Sequence, residues 1–145
     1  RTYSQKIKKG KFMEKRLQFE GKCYLCAMDI SLEIFGGKWK HCIICHLINK
    51  PMRYKQLYNM IGLVSQKMLT QQLKEMEKHE LIIKTIVYNQ PIETTYELTQ
   101  KSIDAFSVLL HIKEWCDKHL DIDNPDFCAC RESMPGKLFF PLGSC

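Results

Sequence analysis

The chain has 145 residues, of which 45% are hydrophobic and 26% are charged. These proportions are typical of a globular domain, and they exclude a collagen-like or wholly disordered chain. No apolar run approaches the roughly 20 residues of a membrane-spanning helix, and no apolar segment follows the basic N-terminus as in a signal peptide. We therefore expect a cytoplasmic protein with no membrane partner.

The positive charge is concentrated in two places. Residues 1–22 carry the whole net charge of +6, and no acidic residue occurs between Glu33 and Glu75, where seven lysines and arginines occur. A basic block within a folded segment is typical of proteins that bind polyanions. A solvated lysine-rich surface explains the same pattern, so charge alone does not decide between them.

The N-terminal half predicts an arm followed by helices. Residues 1–22 are predicted as a basic arm, loosely helical or disordered. The segment from Cys26 to Phe35 fits both the alternation of a strand and an i, i+4 helical row, and glycines at 36 and 37 end it. Helical spacing then extends from Lys38 to Asn49 and again from Arg53 to Ile61.

A third helix, a hairpin and a last helix follow. Ser65 stands at an N-cap position before a helix that runs to His79. Leu81–Tyr88 and Thr94–Leu98 are strand-like stretches around a turn, and Thr99 is expected to cap a helix that runs through Lys118. Two short helices joined through glycine and followed by a hairpin predict a mainly α fold, a winged helix-turn-helix.

Several motifs occur in order along residues 23–120. They are Cys26 with Gly36-Gly37-Lys38-Trp39, Arg53–Leu57, Val64–Met76, Thr95–Thr99 and Trp115. These motifs resemble those of the HxlR-type winged helix-turn-helix regulators. The resemblance implies a homodimeric transcription regulator that dimerises through its first and last helices. It also implies one recognition helix per protomer in a DNA major groove, and often a response to electrophiles or oxidants through the cysteine that matches Cys26.

The chain departs from the family pattern around the wing and after the first cysteine. Ala27 stands where the family usually has proline, and Ile92 and Thr95 replace a proline and a glutamate of the wing. The pair His79-Glu80 stands where the family usually has a glycine in the left-handed conformation that ends the recognition helix. We therefore expect that helix end to be remodelled, and the departures in the wing bear on wing geometry more than on the fold.

The helix after Ser65 has the polar face that a recognition helix needs, with an apolar face behind it. Glutamine pairs bidentately with adenine, and lysine reaches guanine or phosphate. The preceding helix and the wing supply candidate backbone contacts. An ordinary solvated helix face is the alternative. The predicted contacts to double-stranded DNA are Arg53, Lys55, Ser65, Gln66, Lys67, Thr70, Gln71, Lys74, Lys84 and Tyr88.

The eight cysteines leave several interpretations open. Two Cys-x-x-Cys pairs, Cys23 with Cys26 and Cys42 with Cys45, lie 15 residues apart, a spacing typical of structural zinc sites. The alternative function is therefore a zinc-stabilised protein–protein interaction module. The second pair lies in an apolar run, however, where thiols usually pack as small hydrophobic groups. A third possibility is redox sensing at Cys26, because the start of a helix and the nearby charge of Lys22 favour a thiolate.

The remaining predictions concern partners and the tail. The first and last helices carry more apolar surface than a thin hairpin can cover, which predicts a homodimer. Residues 121–145 are predicted as an irregular tail, in which Cys128, Cys130 and Cys145 have no assigned role. No phosphate loop or paired-carboxylate motif occurs in the sequence, so we predict neither an enzyme nor a cofactor. The predicted dimer contacts are Ile30, Ile34, Phe106, Leu109, Leu110 and Trp115.

Overall fold

The computed structural model describes residues 16–121. These residues contain five helices and five strands, and they belong to two compact units, one ending at Gly36 and the other beginning at Gly37. The predictions for residues 1–15 and for the tail cysteines at 128, 130 and 145 lie outside the described residues. No helix in the described part of the chain is both long and apolar enough to cross a membrane.

The N-terminal unit is a hairpin followed by a helix. Strand β1 (Leu17–Phe19) pairs antiparallel with β2 (Lys22–Tyr24). The two residues between them have positive φ angles, 47° and 74°, the backbone of a tight hairpin turn. The prediction of a loosely helical or disordered arm is therefore wrong for residues 17–22. Helix α1 (Ala27–Phe35) follows and resolves the ambiguity of that segment in favour of a helix.

The C-terminal unit has the predicted order of helices, hairpin and last helix. Its three strands form an antiparallel sheet in the order β3 (Met52–Arg53), β5 (Glu93–Leu98), β4 (Ile82–Val87). Strand β3 was not predicted, and it pairs with the strand nearest the last helix through Met52 opposite Tyr96. The elements are α2 (Lys40–Leu47), β3 (Met52–Arg53), α3 (Tyr54–Ile61), α4 (Gln66–Lys78), β4 (Ile82–Val87), β5 (Glu93–Leu98) and α5 (Gln100–His119).

Helix α2 forms the centre of this unit. Residues 42–47 are all buried, and α2 packs against α3, α5 and β5. Helices α3 and α4 contribute apolar side chains to the same core, because their hydrophobic residues recur at helical spacing. The buried apolar residues of α3, of the turn and of α4 are Leu57, Ile61, Val64, Leu69, Leu73 and Met76.

The turn between α3 and α4 has local causes that the sequence shows. Gly62 ends α3 with a left-handed φ of 68°, a conformation that glycine adopts without a Cβ clash. Ser65 then caps α4, since its Oγ accepts a hydrogen bond from the Met68 amide at 3.2 Å. The predicted N-cap is therefore confirmed, and the two helices form a helix-turn-helix.

The end of α4 has the backbone conformation that a glycine usually adopts at the end of a helix. The Glu80 amide donates to the Glu77 carbonyl at 3.0 Å and the Leu81 amide to the Met76 carbonyl at 2.8 Å, the two bonds of a Schellman motif. Glu80 takes the left-handed conformation, with φ of 57°. The expected remodelling of this helix end is therefore wrong, because a non-glycine residue adopts the same backbone.

Glycine at this position is expected to stabilise the fold. A non-glycine residue in the left-handed region costs about 1 kcal/mol, so Glu80→Gly should raise the free energy of unfolding by up to about 1 kcal/mol. Glu77→Gly is the matched control, since it places glycine inside the helix and should lower that free energy by about 1 kcal/mol. Urea denaturation of both variants measures the two changes. An equal decrease in the free energy of unfolding of both variants would contradict the assignment of backbone strain to Glu80.

Thr99 precedes α5 at the predicted N-cap position, but its hydroxyl does not cap that helix. Instead, Thr99 Oγ1 donates to the carbonyls of Glu80 at 2.7 Å and Leu81 at 3.2 Å. The buried Ser102 Oγ donates to the same Leu81 carbonyl at 2.5 Å. The side-chain cap was a wrong prediction, and these hydroxyls instead tie the start of α5 to the end of α4.

Candidate nucleic-acid interface

The exposed face of α4 forms an open depression together with the start of α3. The C-terminal unit therefore brings five of the ten predicted DNA contacts into one surface, with two residues that were not predicted. We call this surface the recognition surface. Its lining residues are Tyr54, Gln66, Lys67, Thr70, Gln71, Lys74 and Glu75.

Tyr54 links the start of α3 to α4 at this surface. Its hydroxyl donates to the Gln66 carbonyl at 3.2 Å and lies 3.2 Å from Thr70 Oγ1. Its ring stacks parallel to that of Tyr58, with centroids 6.4 Å apart. Tyr54 lies within the predicted helix, but the sequence did not single it out, because its partners lie on α4, 12 and 16 residues further along the chain.

The other predicted DNA contacts have different surroundings. Ser65 is exposed but uses its side-chain oxygen as the helix cap. Arg53 forms an ion pair with Glu93 at 2.7 Å, which ties the start of α3 to β5. Lys55 on α3 and Lys84 on the wing strand β4 are exposed, as is Tyr88 just beyond that strand. Their contacts with DNA stay predictions.

Two charged residues were missed, one that lines this surface and one beneath it. Lys40 lies at the start of α2 with its side chain only 6% exposed, and its Nζ is 3.2 Å from Glu75 Oε2. Glu75 in turn accepts a hydrogen bond from Gln71 Nε2 at 3.3 Å. The i, i+4 spacing of Gln71 and Glu75 was visible in the sequence, but the burial of Lys40 depends on packing between distant segments.

Cys26 lies where the sequence predicted it, immediately before a helix. It is the exposed N-cap residue of α1. Its backbone amide donates to Asp29 Oδ2 at 3.3 Å, and the Leu25 amide donates to the same oxygen at 3.2 Å. The first turn therefore places both backbone donors and a carboxylate next to this residue.

The predicted influence of Lys22 on Cys26 needs correction. Lys22 Nζ pairs with Glu33 Oε1 at 2.5 Å, and the hydrogen bond and negative charge of that carboxylate raise the pKa of Lys22. The charge of Lys22 is therefore matched by Glu33. Cys23, also exposed, accepts a hydrogen bond from Gln18 Nε2 at 2.9 Å across the hairpin.

The second cysteine pair lies in the core. Cys42 and Cys45 are both buried in α2, where thiols pack as small hydrophobic groups. Within residues 16–121, no group of three or more histidine, cysteine or acidic side chains is arranged to hold a metal ion. Nothing in the described part of the chain favours the zinc-stabilised module.

Both helices predicted at a dimer interface expose apolar side chains. On α5 an apolar stripe is exposed, and Leu109 and Leu110 are half-buried; on α1 the residues Ile30 and Ile34 are half-buried. Phe106 is only 4% exposed, so it belongs to the core of its own unit and offers little surface to a partner. The most exposed apolar residues of these helices are Met28, Leu32, Val108, Ile112 and Trp115.

A helix-turn-helix followed by a hairpin defines the class of winged helix-turn-helix proteins. The chain also matches the HxlR-like helix-turn-helix family over residues 34–124. It belongs to that family, and it is a transcription regulator of the helix-turn-helix type.

Named relatives agree with this assignment. The chain is 38% identical to the uncharacterized HTH-type transcriptional regulator YtcD of Bacillus subtilis, over 79% of this chain and 92% of YtcD. The reduced form of YodB from B. subtilis is 30% identical with a TM-score of 0.61, covering 67% of this chain and 96% of that structure. YodB has also been solved after diamide treatment and with bound quinone.

A further structural neighbour is the redox regulator HypR in its oxidized form. It is 28% identical with a TM-score of 0.60, and the match covers 67% of this chain and all of that structure. Two of the similar regulators have therefore been solved in oxidized or reduced states.

Proposed function

We propose that this protein is a dimeric DNA-binding regulator that reads duplex DNA through α4 and responds to oxidants or electrophiles at Cys26. The recognition surface is the single observation that carries the DNA-binding part. It gathers two amides, two ammonium groups and a hydroxyl on one exposed helix face, and a major groove is wide enough to admit such a helix.

The chemistry of that surface suits a base edge flanked by phosphates. Gln66 and Gln71 each offer a donor and an acceptor that can pair with those of a base edge. Lys67 and Lys74 supply positive charge for phosphates or guanine. Lys55 on α3 and Lys84 on β4 extend the positive charge beyond α4, where sequence-independent phosphate contacts are expected.

The dimer is supported by exposed apolar side chains on α5. Val108, Ile112 and Trp115 recur at helical spacing, and Trp115 is 56% exposed. Large aromatic and aliphatic residues exposed on one helix face are typical of protein–protein interfaces. A second copy of the chain would cover this stripe and place two recognition helices at one operator, about 34–36 Å apart.

The protein is therefore expected to be a dimer at micromolar concentration, and Trp115→Glu is expected to shift it toward monomer because a charge would be buried without a partner. Sedimentation velocity measures the mass of the unaltered protein and of the variant. Tyr88→Glu is the matched control, since it changes an exposed aromatic residue of the wing and should leave the mass unchanged. A monomeric unaltered protein would contradict the dimer.

The sensing part rests on the position of Cys26. An exposed thiol at a helix N-cap is accessible to reagents in solution. Addition of its sulfur to an electrophile would place new bulk at the start of α1. If α1 contributes to the dimer, that bulk changes the spacing of the recognition helices and lowers DNA affinity.

Treatment with benzoquinone at neutral pH is expected to modify Cys26 first among the thiols and to weaken binding to a selected DNA duplex. Mass spectrometry identifies the modified residue, and fluorescence anisotropy measures the affinity. Cys26→Ser should bind the same duplex and lose the response, while Cys23→Ser should keep it. Modification confined to Cys128, Cys130 or Cys145 with unchanged affinity would reject Cys26 as the sensor and leave a constitutive regulator.

A further inference from the structure

Lys40 connects the core of the C-terminal unit to the recognition surface. Its side chain is 6% exposed, while that of its partner Glu75 is 39% exposed, and the two charges lie 3.2 Å apart. A lysine is seldom buried unless its charge is paired. Because Glu75 also lines the recognition surface, this ion pair anchors a carboxylate at the place where DNA is expected to bind.

The anchored carboxylate determines how Gln71 presents its amide. Gln71 Nε2 donates to Glu75 Oε1 at 3.3 Å. An ionised carboxylate only accepts hydrogen bonds, so the amide must turn its NH₂ group toward Glu75. That group has two N–H bonds, and only one contacts Glu75. The other N–H and the carbonyl oxygen of Gln71 remain available to a partner.

We propose that Lys40 and Glu75 are positioning residues that make Gln71 select adenine. Adenine presents a donor, N6–H₂, beside an acceptor, N7, in the major groove, which is the complement of one carbonyl oxygen and one N–H. Guanine presents two acceptors there, N7 and O6, so an outward carbonyl oxygen opposes it. This inference rests on the proposed function, because it assumes that α4 contacts bases.

The ion pair also reduces the electrostatic repulsion between Glu75 and DNA phosphates. An unpaired carboxylate on a DNA-reading helix repels phosphates, whereas Lys40 balances the charge of Glu75 from below. The buried lysine has no access to DNA itself, so its contribution to selectivity runs only through Glu75. Without Glu75, the amide of Gln71 rotates freely and presents either its oxygen or its NH₂ group to a base.

The experiment begins with duplexes selected from a library that has a randomised core and fixed ends. The base pair read by Gln71 is located as the position at which Gln71→Ala loses its preference. Four duplexes that differ only at this base pair are then titrated with the unaltered protein, with Glu75→Gln and with Gln71→Ala/Glu75→Gln. Glu77→Gln, the same chemical change on the same helix outside the recognition surface, is the matched control.

The unaltered protein and Glu77→Gln are expected to prefer adenine by about tenfold or more. Glu75→Gln should reduce that preference to about twofold. Gln71→Ala/Glu75→Gln should show no further loss of preference, because the two substitutions abolish the same contact to adenine. Lys40→Met/Glu75→Gln is the second variant; it buries no unpaired charge, and the same loss is expected. Circular dichroism and thermal melting show that each variant is folded.

Several results would overturn this proposal. They are an adenine preference that survives in Glu75→Gln, an equal loss of affinity for all four duplexes, an additive loss in the double variant, or a preference for another base at that position. If the unaltered protein binds no duplex selectively, the proposed function fails together with the inference. If it binds selectively through Gln71 and Glu75→Gln changes nothing, only the positioning role fails.

Discussion

Replacing Leu69 by alanine is expected to lower the free energy of unfolding by about 3 kcal/mol. Leu69 is completely buried on the inner face of α4. The substitution removes apolar burial and leaves a cavity, and leucine-to-alanine changes in cores cost about 2–5 kcal/mol. Because a domain of this size has a total stability of about 5–15 kcal/mol, this is among the largest single effects expected in the chain. Urea denaturation followed by circular dichroism measures it.

The neighbouring residue supplies the control. Met68 is 38% exposed on the same helix turn, so Met68→Ala should cost less than about 1 kcal/mol. A similar cost at both positions would contradict the assignment of Leu69 to the core. Since the inner face of α4 holds the recognition surface in place, Leu69→Ala should also weaken DNA binding near its melting temperature while leaving base preference unchanged at low temperature.

The parts of the fold that the sequence predicted are those with local causes. Ser65 caps α4 through a bond to an amide three residues away, and Gly62 ends α3 within its own turn. The hairpin of β4 and β5 follows from β-branched stretches on either side of a short turn. Each of these signals lies within a few residues of its effect, so a reading of the sequence alone finds them.

The parts that were missed depend on distant segments or on very short elements. Strand β3 has two residues and exists only because Met52 and Arg53 pair with β5. The strands of the N-terminal hairpin have three residues each, too few to show alternation. Their turn, Glu20-Gly21, lacks the asparagine or aspartate that usually marks such hairpins.

The same distinction applies to the candidate site. The polar face of α4 was predicted from spacing within one helix, and the structure places five of those side chains together. Lys40 and Tyr54 were not predicted, because their roles depend on contacts with α4 that lie 35 and at least 12 residues away in sequence. Lys22 was assigned to Cys26 by proximity in the chain, whereas its partner is Glu33, 11 residues away.

The largest functional effect is expected from the double substitution Gln66→Ala/Gln71→Ala. Each glutamine is exposed on the recognition surface, and loss of a bidentate contact to a base costs about 1–3 kcal/mol. Each substitution should therefore weaken binding to a selected duplex by roughly tenfold to a hundredfold and relax the base preference at its own position. Fluorescence anisotropy with the selected duplex and with scrambled duplexes measures both quantities.

Two comparison variants separate base reading from general attraction. Lys55→Ala should weaken binding to every duplex alike and reduce the slope of log affinity against log salt by about one, because a phosphate contact releases a counterion. Gln72→Ala makes the same amide deletion on α4 outside the recognition surface, so it should change neither affinity nor preference. Because glutamine is uncharged, the double variant should keep the salt slope of the unaltered protein while losing its selectivity. An unchanged affinity for the selected duplex would show that α4 is not the recognition helix.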